Sequence, residues 1–200
     1  MTTQSTSNPL YPVFLKLHEL DLLIVGAGEV AHEKLFFLLK SSPDANVTIV
    51  SPWVSPKIFE LLRAHPGHRV TFRPRDFEST DVVGFQMVIA ATANRELNEQ
   101  VRDSAKSWGA LVNVADTPDL CDFYLGGVVT KGDLKIAIST NGKSPTFAKR
   151  LRQILEEALP DSTPNLLKNL HSLRTRLTGD FQQKVDRLND LTASLVEQKN

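Results

Sequence analysis

The 200-residue sequence has a single cysteine, Cys121, and no long hydrophobic run. One cysteine leaves no partner for a disulfide within the chain and cannot build a cysteine-based zinc site. No apolar stretch approaches the ~20 residues that cross a bilayer, so we expect no membrane partner. Residues 1–8 are polar and lack the apolar core of a signal peptide. These absences predict a cytoplasmic protein.

The sequence also lacks an excess of charge of either sign, since 23 Lys and Arg residues balance 23 Asp and Glu residues. Without a net positive field we expect no nucleic-acid partner, and an anion site must come from local clustering. The five histidines show no recognised metal-ligand spacing, and no serine lies in a G-x-S-x-G motif. We therefore predict no permanent metal site and no serine nucleophile of that type.

Short apolar runs alternate with helical patterns over the first 115 residues. This alternation is typical of a doubly wound α/β fold with a parallel sheet, and it predicts an NAD-binding Rossmann domain at residues 1–115. We expect Gly109 to end the third helix. The strands are predicted at residues 22–25, 47–50, 69–72, 86–91 and 110–114, and the helices near residues 29–40, 55–65 and 95–108.

The pattern changes after residue 115. Two strand-like runs at residues 123–129 and 134–139 flank a turn at 130–133, which predicts a β-hairpin. This hairpin either extends the sheet or projects and pairs with a second copy of the chain. We assign it to a dimerisation region at residues 116–145.

Residues 146–200 are predicted to form a C-terminal helical region. Ser144 is a suitable N-cap and Pro145 a suitable first residue for its opening helix. Two further amphipathic helices are expected, with a break between them at Gly179.

The first predicted strand runs directly into a glycine-rich turn, Gly26-Ala-Gly-Glu-Val-Ala31. A strand, a G-x-G-x-x-A turn and a helix together form the context of a dinucleotide fingerprint. Gly26 permits the tight turn, Gly28 lets a pyrophosphate approach the backbone, and Ala31 keeps the helix close to the sheet. Backbone N–H groups near Glu29 and Val30 then face the anion. The alternative is a packing turn that binds nothing.

The end of the second strand leaves the identity of the dinucleotide open. A standard NAD fingerprint has an acid here for the ribose hydroxyls, whereas this chain has Ser51 and no adjacent arginine for a 2′-phosphate. Ser51 can hydrogen-bond a ribose, which does not decide between NAD and NADP. Pro52 and Trp53 either form an apolar wall beside the adenine or pack as ordinary surface residues.

The next two strand ends carry candidates for the reacting side of the site. Thr92 and Asn94 follow the fourth strand, where they are expected to contact the nicotinamide, to cap the next helix, or both. Asp116 follows the fifth strand, where a carboxylate can take a proton while a hydride leaves for the cofactor. Asp116 alternatively serves only to form a turn, and Asp119 and Asp122 are rival candidates.

One segment concentrates positive charge: residues 141–152 contain Lys143, Lys149, Arg150 and Arg152 and no acid. The helix N-terminus at Ser144 adds N–H groups and the positive end of a helix dipole. This arrangement suits a polycarboxylate substrate, and the alternative is a solvated basic helix face.

In their order along the chain, five segments resemble the precorrin-2 dehydrogenases, the N-terminal module of siroheme synthases. The most specific are Asn113-Val-Ala-Asp116 and Ser139-Thr-Asn-Gly-Lys-Ser-Pro-Thr-Phe-Ala148, because a generic Rossmann domain has no reason to carry them. The others are residues 10–15, 23–34 and 89–94. The C-terminal helical tail resembles the family only in type.

The resemblance implies oxidation of precorrin-2 to sirohydrochlorin with NAD⁺ in siroheme biosynthesis, by a homodimer in which the hairpin region intertwines with its partner. It implies that Asp116 is the acid–base residue. The substrate is a tetrapyrrole with eight carboxylates, and the resemblance places Asn113, Lys143, Ser144 and Lys149 at that substrate.

Two alternatives stay open at this point. Some family members also insert Fe²⁺ into sirohydrochlorin, and for those that do not, a separate chelatase or methyltransferase of the pathway is an expected partner. The other alternative is a non-catalytic Rossmann module that senses NAD(H) and regulates a partner.

Overall fold

The computed structural model describes residues 8–193, so residues 1–7 of the polar N-terminal segment lie outside it. These residues belong to two compact units, of which the first ends at Gly126 and the second begins at Gly127. The three-part division expected from the sequence, with boundaries at residues 115 and 145, stays a prediction. Among residues 8–193, no helix is long and apolar enough to span a membrane.

The N-terminal unit is built on a five-stranded, wholly parallel sheet with the strand order β3-β2-β1-β4-β5. The order reverses between β1 and β4, which is the topological switch point of a Rossmann-type fold. This confirms the predicted fold class. The elements are β1 Asp21–Val25, α1 Glu29–Ser41, β2 Asn46–Val50, α2 Pro56–Ala64, β3 Arg69–Arg73, β4 Met87–Ala90, α3 Arg95–Ser107 and β5 Leu111–Val114, with 3-10 turns at Leu17–Glu19, Ser79–Val82 and Pro118–Leu120.

The central strands of this sheet are buried on both faces. Leu22 and Ile24 of β1 pack into one hydrophobic cluster together with residues of α1 and α2, including Leu35. Leu23 and Val25 point to the opposite face and pack with residues of α3, including Val101. Burial on both faces explains why β1 is a continuous apolar run and not an alternating one.

The third helix has the ends that the sequence predicts. Asn94 caps α3, since its Oδ1 accepts the N–H of Leu97 at 3.1 Å. Gly109 has φ 75°, a left-handed conformation that suits glycine, and its N–H donates to the carbonyl of Lys106 at 3.1 Å. The expected helix stop at Gly109 is confirmed.

The C-terminal unit contains a separate antiparallel hairpin and three helices. The hairpin is a two-stranded sheet of its own and does not extend the five-stranded sheet. Its loop is Gly132 and Asp133 alone, and Gly132 has φ 61°. The elements are β6 Gly127–Lys131, β7 Leu134–Ile138, α4 Pro145–Ala158, α5 Thr163–Arg176 and α6 Phe181–Thr192.

The predicted bounds of the first hairpin strand, residues 123–129, are wrong. The strand begins at Gly127 and ends at Lys131, so the turn is also shorter than the predicted residues 130–133. The physical reason is that residues 121–123 are used in the N-terminal unit, where the carbonyl of Phe123 accepts the side-chain amide of Asn113 at 2.9 Å.

Candidate active site

Four loops of the N-terminal unit begin side by side at the carboxyl edge of the sheet. Val25 is in register with Val50 and with Ala90, and Ala90 is in register with Val114. The loops after these four strand ends are therefore neighbours, at the edge where ligands bind in such folds. They carry the site residues predicted in this unit: Gly26, Gly28, Glu29, Val30, Ser51, Pro52, Trp53, Thr92, Asn94 and Asp116. Asn113 lies within β5.

Packing inside the protein requires glycine at position 26. Gly26 has φ 101°, and a Cβ there would lie 2.6 Å from the carbonyl oxygen of Ala91. Its N–H donates to the carbonyl of Val50 at 2.9 Å. The turn is thus wedged between the ends of β2 and β4, which fixes its position relative to both strands.

Gly28 has the opposite surroundings, because no atom lies within 4 Å of the position that its Cβ would take. Gly28 is the N-cap of α1 and provides no side-chain cap, and the first helical bond is from His32 N–H to its carbonyl at 2.9 Å. The N–H groups of residues 29–31 therefore have no partner within the helix. An uncapped helix start that is open to a close approach fits the pyrophosphate of a dinucleotide.

The Glu29 side chain, at the start of α1, is bound to the start of α2. Its Oε2 accepts a hydrogen bond from Lys57 Nζ at 2.5 Å, and Ser55 Oγ lies 3.5 Å from its Oε1. The bond from Lys57 is the main reason why the pKa of Glu29 lies below its ordinary value. Lys57 thus offsets an acid that stands at the predicted anion site, a long-range pairing that no local sequence pattern indicates.

Ser51 is buried and its hydroxyl is already engaged. Ser51 Oγ donates to the carbonyl of Trp53 at 2.6 Å, and its N–H donates to the carbonyl of Arg73 at 3.3 Å. Only the lone pairs of this hydroxyl remain for a ribose. Pro52 and Trp53 are exposed, the indole to 60%, so the proposed wall beside an adenine stays a prediction.

The loop after β4 is held by Asn98, a residue that the sequence reasoning missed. Asn98 Oδ1 accepts from both the hydroxyl and the N–H of Thr92, and its amide donates to the carbonyl of Thr92 at 3.0 Å. The capping role considered for Asn94 is present in α3, and contact of either residue with the nicotinamide stays a prediction. The only signal in the sequence is a polar residue at a buried helix position.

Among the predicted residues, Asp116 combines an exposed carboxylate with a strained backbone conformation. Its φ is 56°, a left-handed conformation that few residues other than glycine adopt. Within residues 8–193 it has no hydrogen-bond or ion-pair partner on its side chain. Residues with strained backbone cluster at functional sites, and the catalytic role of Asp116 stays a prediction.

The rival carboxylate Asp122 is committed to the protein. Its Oδ1 accepts from Lys106 Nζ at 2.7 Å and its Oδ2 from the N–H of Val112 at 3.0 Å. Burial acts to raise the pKa of Asp122, but these two hydrogen bonds outweigh it and hold the pKa below its ordinary value. Asp119 is exposed in the 3-10 turn that follows Asp116.

Asn113 is buried and faces the protein, since its Nδ2 donates to Phe123 and lies 3.4 Å from Cys121 Sγ. Its predicted contact with the substrate stays a prediction.

In the C-terminal unit, a tight turn leads into α4. Asn141 and Gly142 have φ 52° and 73°, and the N–H of Lys143 donates to the carbonyl of Thr140 at 3.0 Å. Two successive positive φ values and an Asn-Gly pair are typical of a type I′ turn. Ser144 then caps α4, with its Oγ accepting the N–H of Phe147 at 3.2 Å. The predicted helix start is confirmed.

The basic side chains of residues 141–152 differ in whether an acidic side chain is paired with them. Arg152 is paired with Glu156 at 2.5 Å, and Arg150 bonds to the neutral amide of Gln153 at 3.1 Å. Lys143 and Lys149 are exposed and have no acidic partner in the part of the chain that the structure describes. Positive charge therefore remains available to an anion at the start of α4.

Within the described range, no group of three or more His, Cys, Asp or Glu side chains is placed to hold a metal ion.

Two family profiles match the chain in succession. The family described as putative NAD(P)-binding matches residues 13–127, and the one described as sirohaem biosynthesis protein central matches residues 131–158. Similar proteins include siroheme synthases from Methylococcus capsulatus, 40% identical over 166 residues, and Pseudoalteromonas atlantica, 36% identical over 174 residues. These alignments cover 83% and 87% of the chain but only 34% of each relative, so the chain spans about a third of their length.

Among solved structures, SirC, a precorrin-2 dehydrogenase, has the same fold, with a TM-score of 0.74 and 25% identity over 91% of this chain and 89% of that one. The family match confirms a nicotinamide dinucleotide as the class of cofactor expected from the glycine turn. The chain therefore belongs to the family of putative NAD(P)-binding domains that are followed by the sirohaem biosynthesis central region.

Proposed function

We propose that this protein is an NAD-dependent precorrin-2 dehydrogenase of siroheme biosynthesis. The observation that carries the proposal is the exposed carboxylate of Asp116, which has no partner among residues 8–193 and lies on the same sheet edge as the open glycine turn at Gly28. The likeness to siroheme synthases and to the precorrin-2 dehydrogenase SirC supports this substrate and this reaction.

The residues of the chain divide the chemistry between them. When bound, NAD⁺ supplies a hydride acceptor, which is chemistry that no side chain provides. The start of α1 holds the pyrophosphate, and Lys57 offsets the charge of Glu29 beside it. Asp116 takes the proton that the macrocycle loses when its hydride leaves, so that one hydride and one proton are removed in all.

We further propose that Lys143 and Lys149 bind carboxylates of the tetrapyrrole, with Ser144 beside them as the cap of α4. Their exposure and lack of acidic partners within residues 8–193 support this role. Lysine binds such groups as a flexible point charge, which suits a substrate that carries several carboxylates.

We propose that the working form is a homodimer in the cytoplasm. The buried core of the C-terminal unit consists of Val129, Ile138 and Ala148. The same unit exposes several large apolar side chains: Phe147, Ile154, Leu166, Leu173, Phe181 and Leu191. Exposed apolar surface on this scale favours association between copies of the chain. Light scattering should show that the Ile154→Glu variant is a monomer. The control variant Glu157→Gln should remain a dimer.

The activity is tested by mixing the protein with precorrin-2 and NAD⁺ and recording the absorbance of NADH and of sirohydrochlorin. We expect both products to appear together and only when NAD⁺ is present. Binding of NAD⁺ with no turnover of the tetrapyrrole would contradict the proposal and favour an NAD(H)-sensing module. A parallel sample with sirohydrochlorin and Fe²⁺, without NAD⁺, measures whether the protein also inserts iron.

A further inference from the structure

The outer edge of β5 is covered by residues 121–123, which we call the edge strap. β5 is the last strand of the sheet, so the N–H groups of Val112 and Val114 have no neighbouring strand. The strap satisfies both, because Val112 N–H donates to Asp122 Oδ2 at 3.0 Å and Val114 N–H to Cys121 Sγ at 3.2 Å. The N–H of Asp122 in return donates to the carbonyl of Val112 at 2.7 Å.

Cys121 differs from the rest of the strap because its thiol reaches both ends of the turn that carries Asp116. Its Sγ lies 3.2 Å from the carbonyl oxygen of Val114 and 3.4 Å from that of Thr117. The turn itself is closed by the bond from Thr117 N–H to Val114 O at 3.2 Å. The single S–H can donate to either of these carbonyls, and the sulfur accepts from Val114 N–H. The thiol is therefore in contact with both ends of the segment in which Asp116 adopts its left-handed conformation.

We infer that Cys121 is a positioning residue for the reaction: its thiol holds residues 114–117 in the strained turn that presents the Asp116 carboxylate. This inference rests on the proposed function. Burial raises the pKa of the Cys121 thiol, which keeps it neutral and able to donate, and makes it a poor nucleophile. The role is thus geometric, and no covalent step passes through the sulfur.

Because the strap has other contacts with β5, the effect of the Cys121 thiol on the turn can be measured without unfolding the strap. In Cys121→Ala, the strap keeps its Asp122–Val112 and Phe123–Asn113 hydrogen bonds, so the sheet edge stays covered while the turn loses its thiol contacts. We expect kcat to fall by about 10- to 100-fold, as for a misplaced catalytic group, with unchanged affinity for NAD⁺. Cys121→Ser keeps a donor and an acceptor and should recover most of the rate.

The matched control is Lys106→Met. It removes the ion pair between Lys106 and Asp122 on the same strap but touches no atom of the 114–117 turn. We expect a lower melting temperature and a wild-type kcat. If kcat also falls in this variant, the lower kcat of Cys121→Ala would reflect a weakened strap in general, which would count against the inference.

A double-mutant cycle between Cys121→Ala and Asp116→Asn is the test. If Cys121 acts through Asp116, Cys121→Ala lowers kcat in the wild-type background and has no further effect on kcat in Asp116→Asn. Equal factors in both backgrounds, or an unchanged kcat in Cys121→Ala, would overturn the inference. Absence of turnover in the wild type would instead overturn the proposed function.

Amide hydrogen exchange gives a readout that does not need turnover. Cys121→Ala should accelerate exchange of the Thr117 N–H and leave that of Val112 unchanged. Equal exchange rates at Thr117 in the wild type and the variant would count against the inference.

Discussion

The two units of this protein use their charged side chains in different ways. At the sheet edge of the N-terminal unit, Glu29, Asp81 and Asp122 each bind a basic side chain. Within residues 8–193, Asp116 and Asp119 have no such partner, and of these two only Asp116 has a positive φ. At the start of α4 in the C-terminal unit, Lys143 and Lys149 have no acidic partner within residues 8–193. Paired charges here link parts of the fold to one another, whereas an unpaired charge is available to a ligand. Removing a paired charge should cost stability, and removing an unpaired charge of the proposed site should cost activity.

The largest effect is expected from Asp116→Asn. Because Asp116 is exposed and its side chain has no hydrogen bond or ion pair within the described residues, the melting temperature should not change. Loss of the proton acceptor should lower kcat by about 100-fold or more, measured as NADH formation from precorrin-2. Asp119→Asn, an exposed carboxylate nearby, is the matched control and should keep the wild-type kcat. Equal kcat values in the two variants would show that Asp116 is only a turn residue.

Gly26 and Gly28 show a similar difference, because packing within the protein requires the first and the second is open to a ligand. Gly26→Ala places a Cβ against the Ala91 carbonyl at a positive φ, and should cost about 3 kcal/mol of unfolding free energy. Gly28→Ala meets no atom, and as an N-cap change it should cost about 1 kcal/mol. Its main effect should be to weaken NAD⁺ binding about tenfold by obstructing the pyrophosphate and its hydrogen bonds. Urea unfolding and calorimetric titration check both, and a Gly28→Ala protein with wild-type affinity would argue against the anion site.

A paired charge is tested by Asp81→Asn. Asp81 is buried and accepts hydrogen bonds from Arg75 Nη1 at 2.7 Å and from the N–H of Glu78 at 2.9 Å. We expect a loss of about 1–3 kcal/mol in unfolding free energy, as for hydrogen bonds to a charged group, with an unchanged kcat. A lower kcat at unchanged stability would contradict the division between paired and unpaired charges.

The contribution of the Asp81 carboxylate to stability can also be tested through its dependence on pH. Burial acts to raise the pKa of Asp81, but the hydrogen bonds, led by that from Arg75, hold it below its ordinary value. Its stabilising contribution is therefore complete above the unfolded-state pKa of about 3.9 and is lost as pH falls through the lower folded-state pKa. Melting temperatures from pH 7 to pH 2 should fall less steeply in Asp81→Asn than in the wild type, and parallel curves would show that Asp81 contributes nothing to the acid limb.

The smallest effects are expected from the cations of the C-terminal unit. Lys143→Ala and Lys149→Ala should each raise KM for the tetrapyrrole about 3- to 10-fold, because each loses one solvent-exposed attraction to a carboxylate. The increase should shrink as salt is added. Arg152→Ala is the control, since Glu156 already offsets its charge. A KM that changes as much in the control would mean that the net charge of α4 matters and not the unpaired lysines.

Local patterns in the sequence were enough to predict the sheet and its helices. The apolar run at residues 22–25, the cap at Ser144 and the stop at Gly109 each depend on neighbours within a few residues, and the observed elements follow them. The hairpin strand was misplaced because Phe123 has a strand-like neighbourhood but pairs with Asn113, ten residues earlier. Contacts of this kind depend on the three-dimensional path of the chain.

The candidate site shows the same limit. Position along the chain predicted Asp116 at a strand end, but not its strained φ or its lack of a side-chain partner in the described residues. The pairing of Glu29 with Lys57 joins residues 28 apart, and the thiol of Cys121 acts across the edge of the sheet. The sequence presents Asp116, Asp119 and Asp122 as equivalent. In the structure, Asp122 is paired with Lys106, and of the other two only Asp116 has a positive φ.

We propose that the Asp116 carboxylate removes a proton from precorrin-2 while a hydride leaves for NAD⁺. The most direct measurement is a single turnover, with wild-type protein and Asp116→Asn each saturated with NAD⁺ and mixed rapidly with less than one equivalent of precorrin-2. We expect one NADH for each sirohydrochlorin in the wild type and a slower approach to the same end point in the variant. Equal rates in the two proteins, or sirohydrochlorin formed without NADH, would contradict the proposal.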